Sequence, residues 1–220
     1  MKNFLSILLV IVFTCLPMCS QAKNNETKCV ITMLDGKKVS GTIVDASDKK
    51  YGAYNVKNLY SVKIKDDNGN ETEITADDAS EMIITHEDGS KSEYMSLYTI
   101  KNFTLPKSMK KSAHRYFWYV FEKNKNLISF ASVSTTYTLT GVNSSVTTNS
   151  AAFSYCKKGD DIAVTYYVPT WGTQISLKAE IRRAFDRFPK MTDYIESDKF
   201  NMNELKKNPF NLIKTLDSYI

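Results

Sequence analysis

Residues 115–122, RYFWYVFE, constrain the fold more than any other part of this sequence, because five of the eight are aromatic. The aromatic residues stand at both odd and even positions. Since successive side chains of a strand point to opposite faces, this pattern predicts a strand that is covered on both faces. The chain on either side must therefore supply packing partners for two faces.

On the N-terminal side, three Asx-Gly pairs divide the sequence into short runs of alternating apolar and polar residues. The pairs are Asp35-Gly36, Asn68-Gly69 and Asp88-Gly89. Such pairs favour tight hairpins, and for the first one we expect a type I′ turn, in which both central residues have positive φ. Residues 29–101 are therefore predicted to form an antiparallel meander, with one short helical turn at residues 76–79.

Part of this meander resembles the small barrels of SH3-like and Sm-like proteins. The resemblance rests on residues 32–36 (TMLDG), on residues 41–44 (GTIV) and on the short turn before the last strand. It implies a small barrel-like fold for the N-terminal part of the chain. A fold of this kind does not by itself imply a function.

Strands are also expected on the C-terminal side of the meander, after a polar linker at residues 104–112 (TLPKSMKKS). Residues 129–150 hold twelve Ser or Thr among twenty-two positions. Threonine has a high strand propensity, so we expect two strands joined by a loop at residues 141–145 rather than a disordered stalk. A last hairpin is predicted between residues 151–156 and residues 162–168.

Helical periodicity begins after residue 172. Apolar residues recur there at helical spacing and form one stripe: Leu177, Ile181, Ala184, Phe185 and Phe188. Pro189 is expected to end this helix or open the next turn. A final helix is predicted with Asn208 as its cap and Pro209 in its first turn, and with an apolar face that includes Ile220.

These patterns predict an α+β protein that is mainly antiparallel β. Residues 1–22 are expected to be a signal peptide, and residues 23–105 a small N-terminal β subdomain, either barrel-like or a meander. Residues 106–220 are expected to form a second antiparallel sheet that packs on C-terminal helices. The length of 220 residues suits one large domain or two small ones.

The N-terminus has the order of features that is typical of a secretory signal peptide. Lys2 precedes an apolar run at residues 4–13, and residues 20–22 (SQA) form a small-x-small cleavage site. The run is shorter than a membrane span, and no other segment is long and apolar enough to be one. An alternative is lipidation at Cys19, where LPMC vaguely resembles a bacterial lipobox. We therefore expect a protein that is periplasmic, extracellular or associated with the outer membrane.

Two cysteines, Cys29 and Cys156, remain after such a cleavage. In an oxidising compartment they are candidates for a disulfide bond. The alternative is a pair of buried free thiols, because cysteine packs like a small apolar residue. The sequence leaves both alternatives open, since it does not show whether the two Cα atoms come within reach.

The sequence carries no motif for catalysis, for a metal or for a nucleotide cofactor. His86 and His114 lie in separate segments, and the net charge of +5 does not imply a nucleic-acid partner. Trp171 and Tyr167 are candidate binding aromatics near a strand-to-helix junction. The alternative for both is that they fill the joint between sheet and helix.

Most of the mature chain resembles a group of exported proteins from Gram-negative gut-type bacteria. The resemblance rests on the signal peptide, the Asp-Gly hairpins, RYFWYVFEKNKNLISF, FSYCKKGDD and RRAFDRFPKMTDYI, and it implies no particular activity. The favoured hypothesis is a non-catalytic binding or interaction module for a protein, a glycan or the envelope surface. Alternatives are a hydrolase of envelope or other polymers without a recognisable motif, and a lipid-anchored structural component of the envelope.

Overall fold

The computed structural model describes residues 27–51, 56–100, 110–141, 144–169 and 174–220. It confirms an α+β fold that is mainly antiparallel β. The ten strands are β1 (Lys28–Met33), β2 (Lys38–Tyr51), β3 (Val56–Lys65), β4 (Glu71–Thr75), β5 (Ala79–Thr85), β6 (Lys91–Thr99), β7 (Tyr116–Lys123), β8 (Leu127–Gly141), β9 (Ser144–Lys157) and β10 (Ile162–Tyr167). All of them belong to one sheet.

The helices of the described part follow the last strand. They are α1 (Gln174–Ala184), α2 (Pro189–Glu196), α3 (Met202–Lys207) and α4 (Phe210–Asp217). The predicted stripe of α1 is buried at Leu177, Ile181 and Ala184. Pro189 opens α2, where its fixed φ suits the first helical turn. The apolar face of the last helix ends earlier than expected, because Ile220 is 45% exposed.

The Asx-Gly hairpins are all present, but their turns differ from the expected type I′. In the first, Gly36 N–H donates to Met33 O and Met33 N–H donates to Lys37 O, and Gly36 has φ +84°. This is a type I turn followed by a left-handed glycine. The turns at Gly69 and Gly89 have the same pattern. Only the glycine position therefore requires positive φ.

The sheet curls so that strands far apart in its order meet again. The order is β10-β9-β8-β7-β6-β5-β1-β2-β3-β4, with added pairings of β3 to β7 and β8, and of β10 to β6. The pairing of β3 with β7 closes a first sheet made of β1, β2, β3, β5, β6 and β7. The parallel pairing of β10 with β6 closes a second sheet made of β6–β10.

Strands β6 and β7 belong to both closed sheets, which explains the aromatic stretch. Tyr116, Phe117 and Trp118 are all at most 3% exposed. Phe117 joins the hydrophobic cluster of the first closed sheet, and Tyr116 and Trp118 join that of the second. The prediction of a strand covered on both faces is therefore confirmed.

The helices cover the outer face of the second closed sheet. Tyr155 Oη donates to Ala184 O at 2.8 Å, and Tyr166 Oη donates to Pro209 O at 3.0 Å. All six residues of β10 are buried, since one face points into the closed sheet and the other to the helices. The expected boundary near residue 105 lies outside the described residues, and the strands on either side of it, β6 and β7, are hydrogen-bonded neighbours.

Candidate functional site

The two cysteines do not form a disulfide bond in the structure. Cys29 on β1 lies in the cluster of the first closed sheet, and Cys156 on β9 lies in that of the second. A disulfide requires Cα atoms within about 7 Å, whereas each thiol here is packed into a different core. The structure therefore has the buried free thiols that were the alternative.

Neither thiol is prepared for nucleophilic chemistry. Burial raises the pKa of Cys29 to about 11. Burial, followed by the negative charge of Asp160, raises the pKa of Cys156 to about 12. The thiolate is the reactive form of cysteine, so both groups are inert near neutral pH.

The candidate binding aromatics do not form an accessible pair. Tyr167 is 2% exposed and stacks on Phe153, with ring centroids 5.8 Å apart. This matches the alternative in which it fills the core under the helices. Trp171 and the lipidation candidate Cys19 lie outside the described residues.

One cluster of titratable side chains forms where three segments meet. Asp77 lies in the turn between β4 and β5, Tyr60 lies on β3, and His114 precedes β7. Asp77 Oδ2 accepts hydrogen bonds from Tyr60 Oη at 3.0 Å and from His114 Nδ1 at 2.8 Å. Its other oxygen accepts the backbone N–H of Arg115 at 2.7 Å.

These hydrogen bonds decide the charge of the cluster. Burial by itself would raise the pKa of Asp77, but the donors Arg115 N–H, His114 and Tyr60 outweigh it and hold the pKa below its ordinary value. Burial, followed by the hydrogen bond to Asp77 and the charge of Asp77, raises the pKa of Tyr60. The cluster is therefore a carboxylate surrounded by donors.

An aspartate that orients a histidine is also the base half of many hydrolytic sites. Here the hydroxyl of Ser112 donates to the backbone oxygen of His114 and accepts from the backbone N–H of Thr99. Both of these hydrogen bonds are therefore to backbone atoms. A pocket of the described residues lies elsewhere, between helices. Through their hydrogen bonds, Asp77 and His114 thus link β3, the β4–β5 turn and the start of β7.

The other candidate groups of the described residues are structural as well. His86 Nε2 lies 2.6 Å from Ser92 Oγ, but Ser92 is only 3% exposed and no substrate can reach it. Asp160 pairs with Arg187, and Asp161 pairs with Lys111. Within the described ranges, no three His, Cys, Asp or Glu side chains converge as a metal site would require.

A pocket of about 140 Å³ lies between α2, α3 and α4. Its aromatic wall is formed by Tyr194 and Phe200, and its polar wall includes Asn201 and Asn208. The Oδ1 atoms of both asparagines already accept backbone N–H groups at helix starts. Pockets for small-molecule ligands are commonly about 300–1,000 Å³, so this one is too small to enclose such a ligand.

The least conventional feature is the β8–β9 hairpin, which is the longest of the described part. The two strands pair without a break in partners from Leu127 and Lys157 at the base to Gly141 and Ser144 at the tip, apart from one irregularity near Gly141. The sequence analysis predicted two strands here but not their extension beyond the sheet. One feature of the sequence does indicate this extension, because residues 127–156 contain no charged residue.

The distal half of this hairpin has open edges. On the β8 side, the last partners are Val56 and Lys57 of β3, which pair with Ser134 and Val133. On the β9 side, the last pair joins β10 to Phe153. Beyond these points, the described residues provide no further strand partner on either side. We call residues 135–141 and 144–150 the arm.

The arm is a ribbon with backbone groups available on both edges. Seven residues on each strand correspond to an edge of about 23 Å, at about 3.3 Å per residue. Exposed edges of this kind accept strands from other chains, and proteins usually protect them with charged residues or proline. Residues 135–150 contain neither.

Neither the helices of the described part nor comparisons with known proteins assign a function to the arm. None of the helices in the described ranges is long and apolar enough to cross a membrane. The resemblances to small barrels and to exported bacterial proteins stay predictions. Comparison of the chain with family models, with curated proteins and with solved structures finds no match.

Proposed function

We propose that this chain is an exported, non-catalytic interaction module that contacts its partner through the arm, by addition of a β-strand to one of its edges. The observation that carries the proposal is the open, charge-free edge of residues 135–141 and 144–150. In strand addition, main-chain hydrogen bonds supply the affinity.

Export rests on the N-terminal sequence pattern of residues 1–22. An envelope or extracellular location brings the arm into contact with proteins rather than with nucleic acid. The lipid-anchored alternative is a variation on the same function, because an acyl chain on Cys19 would tether the module without changing the arm. Mass spectrometry of the mature N-terminus distinguishes an acylated Cys19 from a chain that begins at Lys23.

The hydrolase alternative is supported by one observation, the pairing of Asp77 with His114. A hydrolytic site also needs a cleft that holds the substrate against these groups. In the described residues, the Ser112 hydroxyl beside His114 is bound to the backbone, and a pocket of about 140 Å³ lies away from this cluster, between the helices. The geometry therefore favours the interaction module.

A photo-reactive amino acid at the arm tests the proposal directly. Thr148 is replaced by p-benzoyl-phenylalanine in the full chain, produced in its natural host and irradiated in intact cells. Ser40, an exposed residue of β2, carries the same group in the matched control. We expect a covalent adduct from position 148 and none from position 40. Absence of an adduct at position 148, or an equal yield at position 40, would contradict the proposal.

A further inference from the structure

We infer that the strand added to the arm comes from a second copy of this chain, with the two β9 edges pairing antiparallel about a two-fold axis. The inference rests on the proposed function and identifies the partner that the arm contacts. The contact is made by residues 144–150, whose outer edge has no strand partner among the described residues.

Among the described residues, the β9 edge is without a strand partner over a longer stretch than the β8 edge. At the base of the arm, β8 pairs with Val56 and Lys57, so the end of the β2–β3 hairpin lies beside it. That end carries three lysines, Lys49, Lys50 and Lys57, and one acid, Asp48. A second positively charged copy that approached the β8 edge would meet these lysines. Among the described residues, the β9 edge is bordered by β10, whose last pair joins Tyr167 to Phe153.

The absence of charge at the arm allows two copies of this chain to meet there. The chain has 29 basic and 24 acidic residues, and none of them lies at residues 127–156. Two copies that have lost the expected signal peptide, and with it Lys2, each carry a net charge of +4 and repel each other least when they meet at a segment without charge. A foreign partner is normally selected by complementary charges or by pockets, and a charge-free edge offers no such charges.

The backbone of the arm suits self-pairing. Residues 144–150, SSVTTNS, lack proline, so every residue keeps its N–H group for a ladder. Valine and threonine have a high strand propensity. An antiparallel pairing of two identical edges is self-complementary, because residue i of one copy meets residue j of the other and the reverse. It closes at two copies and produces a four-stranded ribbon.

The first test is the mass of the purified full chain by size-exclusion chromatography with light scattering. One copy has a mass of 25.0 kDa. We expect twice the mass of one copy at high protein concentration, falling towards one copy on dilution. A mass of one copy at every concentration would overturn the inference.

Lysines at the arm edge should separate the copies. The double variant T147K/T148K puts one new charge on each face of the ribbon, because neighbouring residues of a strand point to opposite faces. Like charges that face each other across a ladder are destabilising, so we expect the dissociation constant of the pair to rise roughly tenfold or more. The matched control S40K/S47K adds the same charge at exposed positions of β2 and should remain paired.

Folding and partner identity are checked in the same experiments. The thermal melting temperature of T147K/T148K should match that of the control, because among the described residues positions 147 and 148 pair only with β8. A folded T147K/T148K variant that still pairs would overturn the inference. A photo-adduct from position 148 with a foreign protein would leave the proposed function standing and overturn the second copy. If no adduct forms at position 148, both the proposed function and the inference of a second copy are contradicted.

Discussion

Gly41 on β2 is a residue whose identity follows from a close approach of two backbones. A Cβ atom at this position would lie 2.6 Å from the carbonyl oxygen of Lys65 on β3. No Cβ atom tolerates that distance to a backbone oxygen, so β2 and β3 would have to separate.

We predict that Gly41→Ala lowers the free energy of unfolding by about 1–3 kcal/mol, which is the usual cost of overpacking. Urea denaturation measures the change. The control is Ser40→Ala, since Ser40 is the exposed neighbour of Gly41 on the same strand. Equal stability of the two variants would show that β2 and β3 do not approach as closely as described.

Asp77 links pH to stability. Its pKa lies below the ordinary value in the folded chain, so the folded state is favoured while the carboxylate is charged. This contribution is present above the unfolded pKa of about 3.9 and is lost as the pH falls through the lower folded pKa. Since Asp77 is 32% exposed, solvent screening reduces its size.

We predict that Asp77→Asn melts at a lower temperature than the wild type at pH 7, and that the difference shrinks below about pH 4. Thermal melting across this pH range checks the prediction. Asp67→Asn, at an exposed turn position, is the control and should melt like the wild type throughout. A difference for Asp77→Asn that did not depend on pH would contradict this account.

Cys29 and Cys156 are predicted to be unbonded to each other in the folded protein. Because both thiols are free and buried, the intact mass should be the same with and without a reductant. A thiol reagent should modify neither cysteine in the folded chain and both after denaturation. A native mass two units lower than the reduced mass would instead demonstrate the disulfide bond.

At the scale of elements, β7 could be predicted from residues 115–122 because its aromatic residues occupy both parities. The hairpins could be predicted from Asx-Gly pairs, but their turn type could not. In the observed turns the glycine has positive φ and its N–H donates to the carbonyl three residues earlier, which the pair of residue types does not specify. The short helix α3 was not predicted, because its six residues offer too few positions for a periodic pattern.

We predict that truncating a side chain on either face of β7 destabilises the protein. Phe117→Ala removes a side chain from the core of the first closed sheet, and Trp118→Ala removes one from the core of the second. Each variant should lose about 3–5 kcal/mol of unfolding free energy, the usual cost of such truncations. Chemical denaturation measures both. A loss below about 1 kcal/mol at either position would show that this face of β7 is not in a core.

At the scale of the whole molecule, the decisive pairings are non-local. Leu59 meets Phe117, and Ile162 meets Tyr98, across long stretches of chain. No local pattern encodes such closures, so the sequence could not predict that β6 and β7 are shared by both closed sheets. The same holds for the arm, whose strands were predicted from residues 129–150. Its open edges depend on where the neighbouring strands end.

Hydrogen–deuterium exchange of the full chain tests the central claim, which is a doubly buried centre combined with an arm left open for contact. We predict that β6 and β7 exchange slowest, because both closed sheets share them. Residues 144–150 should exchange faster in dilute solution and slow down as the protein concentration rises. Protection of the arm equal to that of β7 at every concentration, or a β7 that exchanges as fast as the arm, would contradict the account.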